Sequence, residues 1–365
     1  MAAHRKTPLA VFLFLVLFSV VFSTKVRAEP TITFELPTII GGDGEIERSL
    51  EASLEGFIES FRDELNERLD KPDVLTGFAR ASSVAPLTPH ALYFSSPYSA
   101  FIGFDAAVYA PPLSTSIDRA SDIDEDWDEM MGGSMQPLSI RLRFPLDMVR
   151  ENLFAGFSCG YLSVESGDFA FDYYTIGISS GLVIGGWKDR LASWDGLSLH
   201  GGIDYSHTIF SALHDPGQTS RQDSFDPDGS GGIPTLTASY TVDPQISAAF
   251  TLSSGSLVLQ ASTGVTLVEL FSFSCGLGLS LSRVGASLSI DAEEEIRIGG
   301  TLADYIEGSG SVAVHGEVVG VHAWYAQMYL HGAMEMRLGS LVLSFPVIWV
   351  PETSLACGLY AGVRF

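Results

Sequence analysis

The chain has 365 residues, with 44 Asp and Glu against 20 Lys and Arg, a net charge of −24 and a mean hydropathy of +0.24. So acidic a chain repels phosphate, which excludes nucleic acid as a partner. Positive hydropathy beside that charge suits an apolar barrel exterior joined by acidic loops better than a soluble globule. Beyond the first 28 residues no run of about 18 apolar residues occurs, which excludes a helical membrane protein.

The N-terminus reads as an export signal. His4, Arg5 and Lys6 precede an apolar run from Leu9 to Val21 that only Ser19 interrupts, and Val26-Arg27-Ala28 sets small residues at −3 and −1 of a cut. The run is shorter than a spanning helix needs. The spacing predicts a signal peptide over 1–28, with no Cys nearby for a lipid anchor. Removing it takes four basic residues and no acidic ones, leaving 16 against 44 and a charge of −28.

Residues 29–42 are Pro/Gly-punctuated and extended. Gly44 to Asp70 then predicts an amphipathic helix, with Ile46, Leu50, Leu54, Phe57, Phe61, Leu65 and Leu69 recurring every three or four residues. Pro72 stops it. Such a stripe must be buried: in a barrel lumen as a plug, on the periplasmic rim, or on a partner. The chain thus divides into 1–28, an N-terminal segment over 29–87 and a barrel over 88–365.

From about Phe101 the period becomes two, as in strands with one apolar face. The segments are 101–109, 138–146, 152–164, 169–184, 197–209, 235–252, 257–267, 271–281, 285–298, 309–322, 324–338, 340–349 and 354–365. Many exceed the five or six residues of an average soluble strand and match the 9–11 that cross a bilayer. The fold class is therefore all-β, a transmembrane antiparallel β-barrel preceded by an amphipathic helix. Thirteen segments and an even-numbered rule point to about 14 strands, with 12 as the alternative. Ser253-Ser254-Gly255-Ser256 and Arg283-Val284-Gly285 read as short turns, and 110–136, 211–234 and 299–308 as long loops at the opposite end.

Inward positions carry mainly Ser, Gly and Thr, with Arg141, Arg143, Asp172, Asp204, Gln260, Asp291, Glu335 and Arg337 as lumen-facing candidates. Small inward residues leave room for water, a solute or a plug. Cys159, Cys275 and Cys357 fall on apolar faces and fit no zinc spacing.

Asp122, Asp124, Asp126 and Asp128 cluster in one loop, where they form either a calcium site or a solvated acidic surface. Asp226 to Gly231 matches the front of a calcium-binding loop, but its twelfth position is Thr237, not Glu. Apart from such calcium, no cofactor is expected. Ser206, His207 and His200 share a strand without a nucleophile elbow, so no catalysis is expected.

In the last twelve residues Leu355, Cys357, Leu359, Ala361, Val363 and Phe365 share a face, opposite Ser354, Gly358, Tyr360 and Arg364. A strand closing on a terminal Phe resembles the C-terminal signature of outer-membrane β-barrel proteins. That resemblance implies Phe365 as an assembly signal, the barrel assembly machinery and outer-membrane lipid as partners, and the outer membrane of a diderm bacterium as the location. Barrel size and an ordered N-terminal segment are also similar to the outer-membrane long-chain fatty acid transporter family. That likeness implies fourteen strands, an N-terminal hatch and a hydrophobic path. The family's Asn-Pro-Ala hatch motif is absent here, so no binding residue carries over. The expected function is passive uptake of small or hydrophobic solutes, gated by the N-terminal segment. A surface adhesin or a structural outer-membrane anchor is the alternative.

Overall fold

The computed structural model describes residues 23–26, 31–35, 38–39, 72–92, 99–109, 132–189, 191–214, 219–225, 236–242, 245–301, 306–307, 310–351 and 353–364. The stripe of Ile46, Leu50, Leu54, Phe57, Phe61 and Leu65, the cluster Asp122, Asp124, Asp126 and Asp128, and Phe365 lie outside these residues. The N-terminal strands are β1 (Ser23–Val26), β2 (Thr31–Glu35) and β3 (Thr38–Ile39). The helix α1 (Pro72–Val84) runs directly into a 3-10 turn over Ala85–Ala91. Next come β4 (Ser99–Tyr109), β5 (Gly132–Pro145), β6 (Leu153–Ser166), β7 (Phe169–Ile184), β8 (Trp187–Lys188) and β9 (Ala192–His214). The remainder are β10 (Thr219–Phe225), β11 (Leu236–Val242), β12 (Ile246–Leu267), β13 (Phe271–Gly299), β14 (Ile306–Glu307), β15 (Gly310–Leu338), β16 (Leu341–Val350) and β17 (Ser354–Arg364).

Ten of these strands close into an antiparallel ring, in the order β4-β5-β6-β7-β9-β12-β13-β15-β16-β17 and back to β4. The last strand seals the first along its whole length, from Ser354 opposite Tyr109 to Arg364 opposite Ser99. The outer face is apolar: Ile102, Phe104, Ile176, Ile178, Leu199, Leu257, Leu259, Phe273, Leu277, Leu279, Leu330 and Leu355 are all exposed. A ring that turns large aliphatic side chains outward is stable only in hydrocarbon, so this is a membrane-spanning barrel, as the alternation predicted. Cys275 and Cys357 lie exposed on that face, as free thiols.

Among the described residues the ring has ten strands, where the sequence suggested about fourteen or twelve, for a local reason. Ser253 to Ser256 does not turn: it pairs in unbroken register with Ser282 to Gly285, in the middle of β12 and β13. Segments 271–281 and 285–298 are therefore one strand of 29 residues, as are 309–322 and 324–338. Likewise 257–267 continues the latter part of 235–252 as β12. Three joins reduce the thirteen segments to the ring of ten. Small residues there mark a wall that another element approaches, where sequence alone suggested a bend.

The joins leave β12, β13 and β15 with 22 to 29 residues, and β9 alone runs to 23. At about 3.3 Å per residue, 29 residues span roughly 95 Å, about three times a bilayer's hydrocarbon core. The surplus lies at one end. Connections 146–152, 185–191, 268–270 and 339–340 are at the end where β4 starts and β17 finishes; 110–131, 215–245 and 300–309 are at the opposite, long-loop end. This parity agrees with the expected loop placement, and β10 and β11 form a hairpin on the projecting sheet.

Inside the ring lies the segment 72–92. Every residue from Ala81 to Leu92 is buried. Pro72 sits in the first turn of α1, where its missing N–H costs nothing. Pro86 and Pro89 remove the donors that would continue an α-helix, and the chain tightens into 3-10 geometry. The lumenal segment runs past the expected boundary at 87/88, and the first ring strand begins at Ser99. Leu75 and Ala79 pack on Leu252, Val284, Ala286, Val321 and Ala323. Val84, Ala85, Leu87 and Ala91 pack on Ala107, Val258, Tyr329, Ile348 and Ala356. Leu92 meets Phe101, Val342 and Tyr360.

Candidate functional site

The site is the interface between the segment 72–92 and the inner wall. Along α1 it is made of small groups. Ser82 Oγ lies 3.2 Å from Ser134 Oγ on β5. Gln327 Nε2 donates to Ser83 Oγ (2.9 Å), and Ser282 Oγ donates to Ser83 O (3.4 Å). Ser282 also pairs with Ser256 (2.9 Å). A Cβ at Gly132 would overlap the backbone of Gly77, so the wall needs glycine where the helix touches it. Arg80 Nη1 donates to Tyr109 OH at 2.6 Å.

Deeper in the lumen the contacts become charged. The His90 ring bonds through Nε2 to the Asp204 carboxylate, which also accepts from Ser158 Oγ at 3.0 Å. His90 Nδ1 lies 3.1 Å from His200 Nε2 and 3.4 Å from Arg141 Nη2. With Nε2–H donating to Asp204, Nδ1 keeps its lone pair for these two donors. Gln260 Nε2 donates to His90 O (2.5 Å), and Tyr329 OH donates to Gln260 Oε1 (3.0 Å). A Cβ at Gly202 would stand 2.6 Å from His90 Cε1, so this glycine admits the ring. On the facing wall Tyr360 OH donates to the buried Asp105 carboxylate. Three strands, β5, β9 and β12, thereby bond directly to His90 of the inserted segment. A carboxylate buried away from water is costly unless hydrogen-bonded, and Asp204 accepts from both His90 and Ser158.

Little space remains beside this latch. A void of about 20 Å³ next to Leu92, bounded by Arg141, Phe154, His200 and Gln260, holds about one water. Towards the short-turn end the lumen widens to a hollow of about 430 Å³ between Arg143, Phe154, Trp187, Trp194 and Asp195. A second hollow of about 240 Å³ lies at the mouth, among Lys188, Thr266, Glu269, Arg337 and Arg364. Both hollows lie on the short-turn side of the latched segment.

Six candidate positions face inward: Arg141, Arg143, Asp204, Gln260, Glu335 and Arg337 are buried on the inner wall. Arg143 stacks over the Phe154 ring at 3.5 Å. Arg337 bonds to Glu335 (3.1 Å) and to Thr266 Oγ1 (2.8 Å), bracing the short-turn mouth. The structure corrects the other two. Asp172 is exposed, in phase with Ile176 and Ile178, while Tyr173 and Thr175 turn inward. Asp291 is exposed because β13 carries its phase unbroken from Ser272, so even-numbered residues face in and Asp291 shares the outer face with Leu277. Sequence reasoning missed His90, Asp105, His200, Tyr329 and Tyr360. One signal was available: His200, Gly202 and Asp204 alternate on one face, an imidazole and a carboxylate flanking a gap.

A sequence profile described as Lsa36-like matches residues 27–350. The chain belongs to this family. No curated protein matches it. Among solved structures, the translocator domain of the autotransporter NalP from Neisseria meningitidis is similar with a TM-score of 0.30 and 10% identity, over 80% of this chain and 99% of that one. A Pseudomonas aeruginosa FadL homologue gives 0.20 and 10%, over 79% and 98%. The P. putida toluene transporter TodX gives 0.19 and 8%, over 79% and 94%.

Proposed function

We propose that this Lsa36-like protein is an outer-membrane channel for small or hydrophobic solutes, held closed at rest by residues 72–92. The observation that carries this reading is the way the lumen is filled. The occupant is a separate segment joined to the wall by small-residue packing and one polar latch, and hollows lie on its short-turn side. A barrel meant only as an anchor would be expected to fill its lumen with its own wall side chains. Moving the segment exposes Arg141, Asp204, Gln260, Ser254 and Ser256, a polar lining able to conduct. Export through a leader over 1–28, whose removal would take β1 with it, and assembly through the terminal strand fit this location.

The test is a reversible lock. Ser82→Cys with Ser134→Cys replaces two hydroxyls 3.2 Å apart by a disulfide pair, with Cys159, Cys275 and Cys357 replaced by Ala. In planar bilayers the oxidised protein should stay shut, and reductant should restore openings seen with the parent. A parent that never conducts under any voltage, and a deletion of 72–92 that inserts yet stays silent, would end the channel reading. A second reading, a surface-interaction protein, is favoured by one observation, the projecting sheet of β9, β12, β13 and β15.

A further inference from the structure

The inserted segment has a direction, and that direction assigns a side of the membrane to the N-terminal strands. At its start Arg80 bonds to Tyr109, and Gly77 abuts Gly132, both wall residues at the long-loop end. At its finish Leu92 packs on Phe101 and Val342, which lie at the short-turn end. From Leu92 the chain has only residues 93–98 before Ser99, where β4 starts at that same end. Six residues reach at most about 21 Å, enough for a link along one rim and too short to return through the lumen. The chain therefore passes through the barrel once, from the long-loop end to the short-turn end.

The elements that precede α1 agree independently. β2 pairs with Ser311–His315, on the stretch of β15 that projects past the end of β16. β3 pairs with β14, inside the connection 300–309. Both sit at the long-loop end. Barrels of this class keep short turns on the periplasmic side and long loops outside. The placements expected for the amphipathic stripe over 44–70 (in the lumen, on the periplasmic rim or on a partner) concern residues outside those described, whereas β2 and β3 themselves lie at the long-loop end.

We propose that the protein displays its N-terminal region on the cell surface, with residues 72–92 as the leg of chain that returns through the lumen to start the barrel. β2 and β3 then act as outer-face structure, and β2 covers an edge of β15 that would otherwise present unpaired backbone groups. The long-loop face becomes a composite surface built from both ends of the sequence, with β2, β3, the β10–β11 hairpin and the projecting strands side by side. The narrow, small-residue character of the inserted leg (Gly77, Ala79, Ala81, Ser82, Ser83, Ala85) suits a chain that must pass the lumen during assembly. This inference concerns which side of the membrane the N-terminal strands occupy, and it stands or falls separately from conduction.

A recognition sequence for a site-specific protease, inserted singly at three places in the full chain, tests it. One insertion follows Glu35; the second is in the 167–168 turn at the long-loop end; the third is in the 147–149 turn at the short-turn end. Only heat-modifiable, assembled protein is scored, in whole cells given protease from outside. The Glu35 variant should be cut to at least 80% of the extent of the 167–168 variant, with the 147–149 variant cut only after permeabilisation. A Glu35 variant that follows the 147–149 variant overturns the proposal. So does assembled protein from which the inserted sequence has already been removed. Should the Glu35 insertion prevent assembly, the same sequence after Ile39 gives the same two-way answer.

Discussion

His90, on the inserted segment, hydrogen-bonds to Asp204 on β9, and this contact joins the occupant of the lumen to its wall. A hydrogen bond to a charged partner contributes about 2 kcal/mol, equivalent to roughly 30-fold in a closed-to-open ratio. Asp204→Asn keeps an acceptor for His90 and removes the charge, weakening the bond by about 1 kcal/mol, so open events in planar bilayers should become about 5-fold more frequent. Ser158→Ala, which leaves the His90 contact in place, should change them far less. Equal effects of the two variants would show that the latch is not at His90.

Gly202 makes room for that ring. A Cβ there would stand 2.6 Å from His90 Cε1. Gly202→Ala should cost about 1–3 kcal/mol by overpacking, read as a lower urea midpoint in lipid vesicles and as more frequent opening. Adding His90→Ala should remove most of the extra cost, because the two residues share one space. Strict additivity of the two changes would separate them.

The pair Glu335 and Arg337 stabilises the short-turn mouth, with both side chains buried. Glu335→Ala leaves a buried guanidinium short of its partner and should cost about 3–5 kcal/mol of unfolding free energy. Glu335→Leu with Arg337→Met should recover most of that loss. If the single and double variants unfold alike, the ion pair contributes little to the barrel.

The phase of β13 can be checked from outside. Leu279 lies exposed in the apolar band, so Leu279→Arg should cost about 2–4 kcal/mol of insertion and folding free energy. Asp291→Arg is on the same outer face but beyond that band, and should cost about 1 kcal/mol or less. A penalty at Asp291 as large as that at Leu279 would contradict the projecting sheet.

Alternation of apolar and small residues along 101–365 determines which side chains meet lipid, because successive residues on a strand point to opposite faces. That local rule was enough for the barrel, the outward cysteines, six inward polar positions and the end that carries the long loops. It fails where small residues have two meanings. Ser253 to Ser256 looks like a turn, and only cross-strand pairing with β13 makes it a wall beside α1. The error at Asp291 follows directly, since a false turn lets the phase slip by one residue. The occupant of the lumen was beyond any local rule. Residues 72–92 form only a short helix before Pro86 and Pro89 tighten the chain, and their packing depends on tyrosines and carboxylates brought from strands far apart in sequence, Asp204, Tyr329 and Tyr360 among them. Closure of the ring decided which groups face one another across the lumen, and with them the latch, the hollows and the single direction in which the chain is threaded.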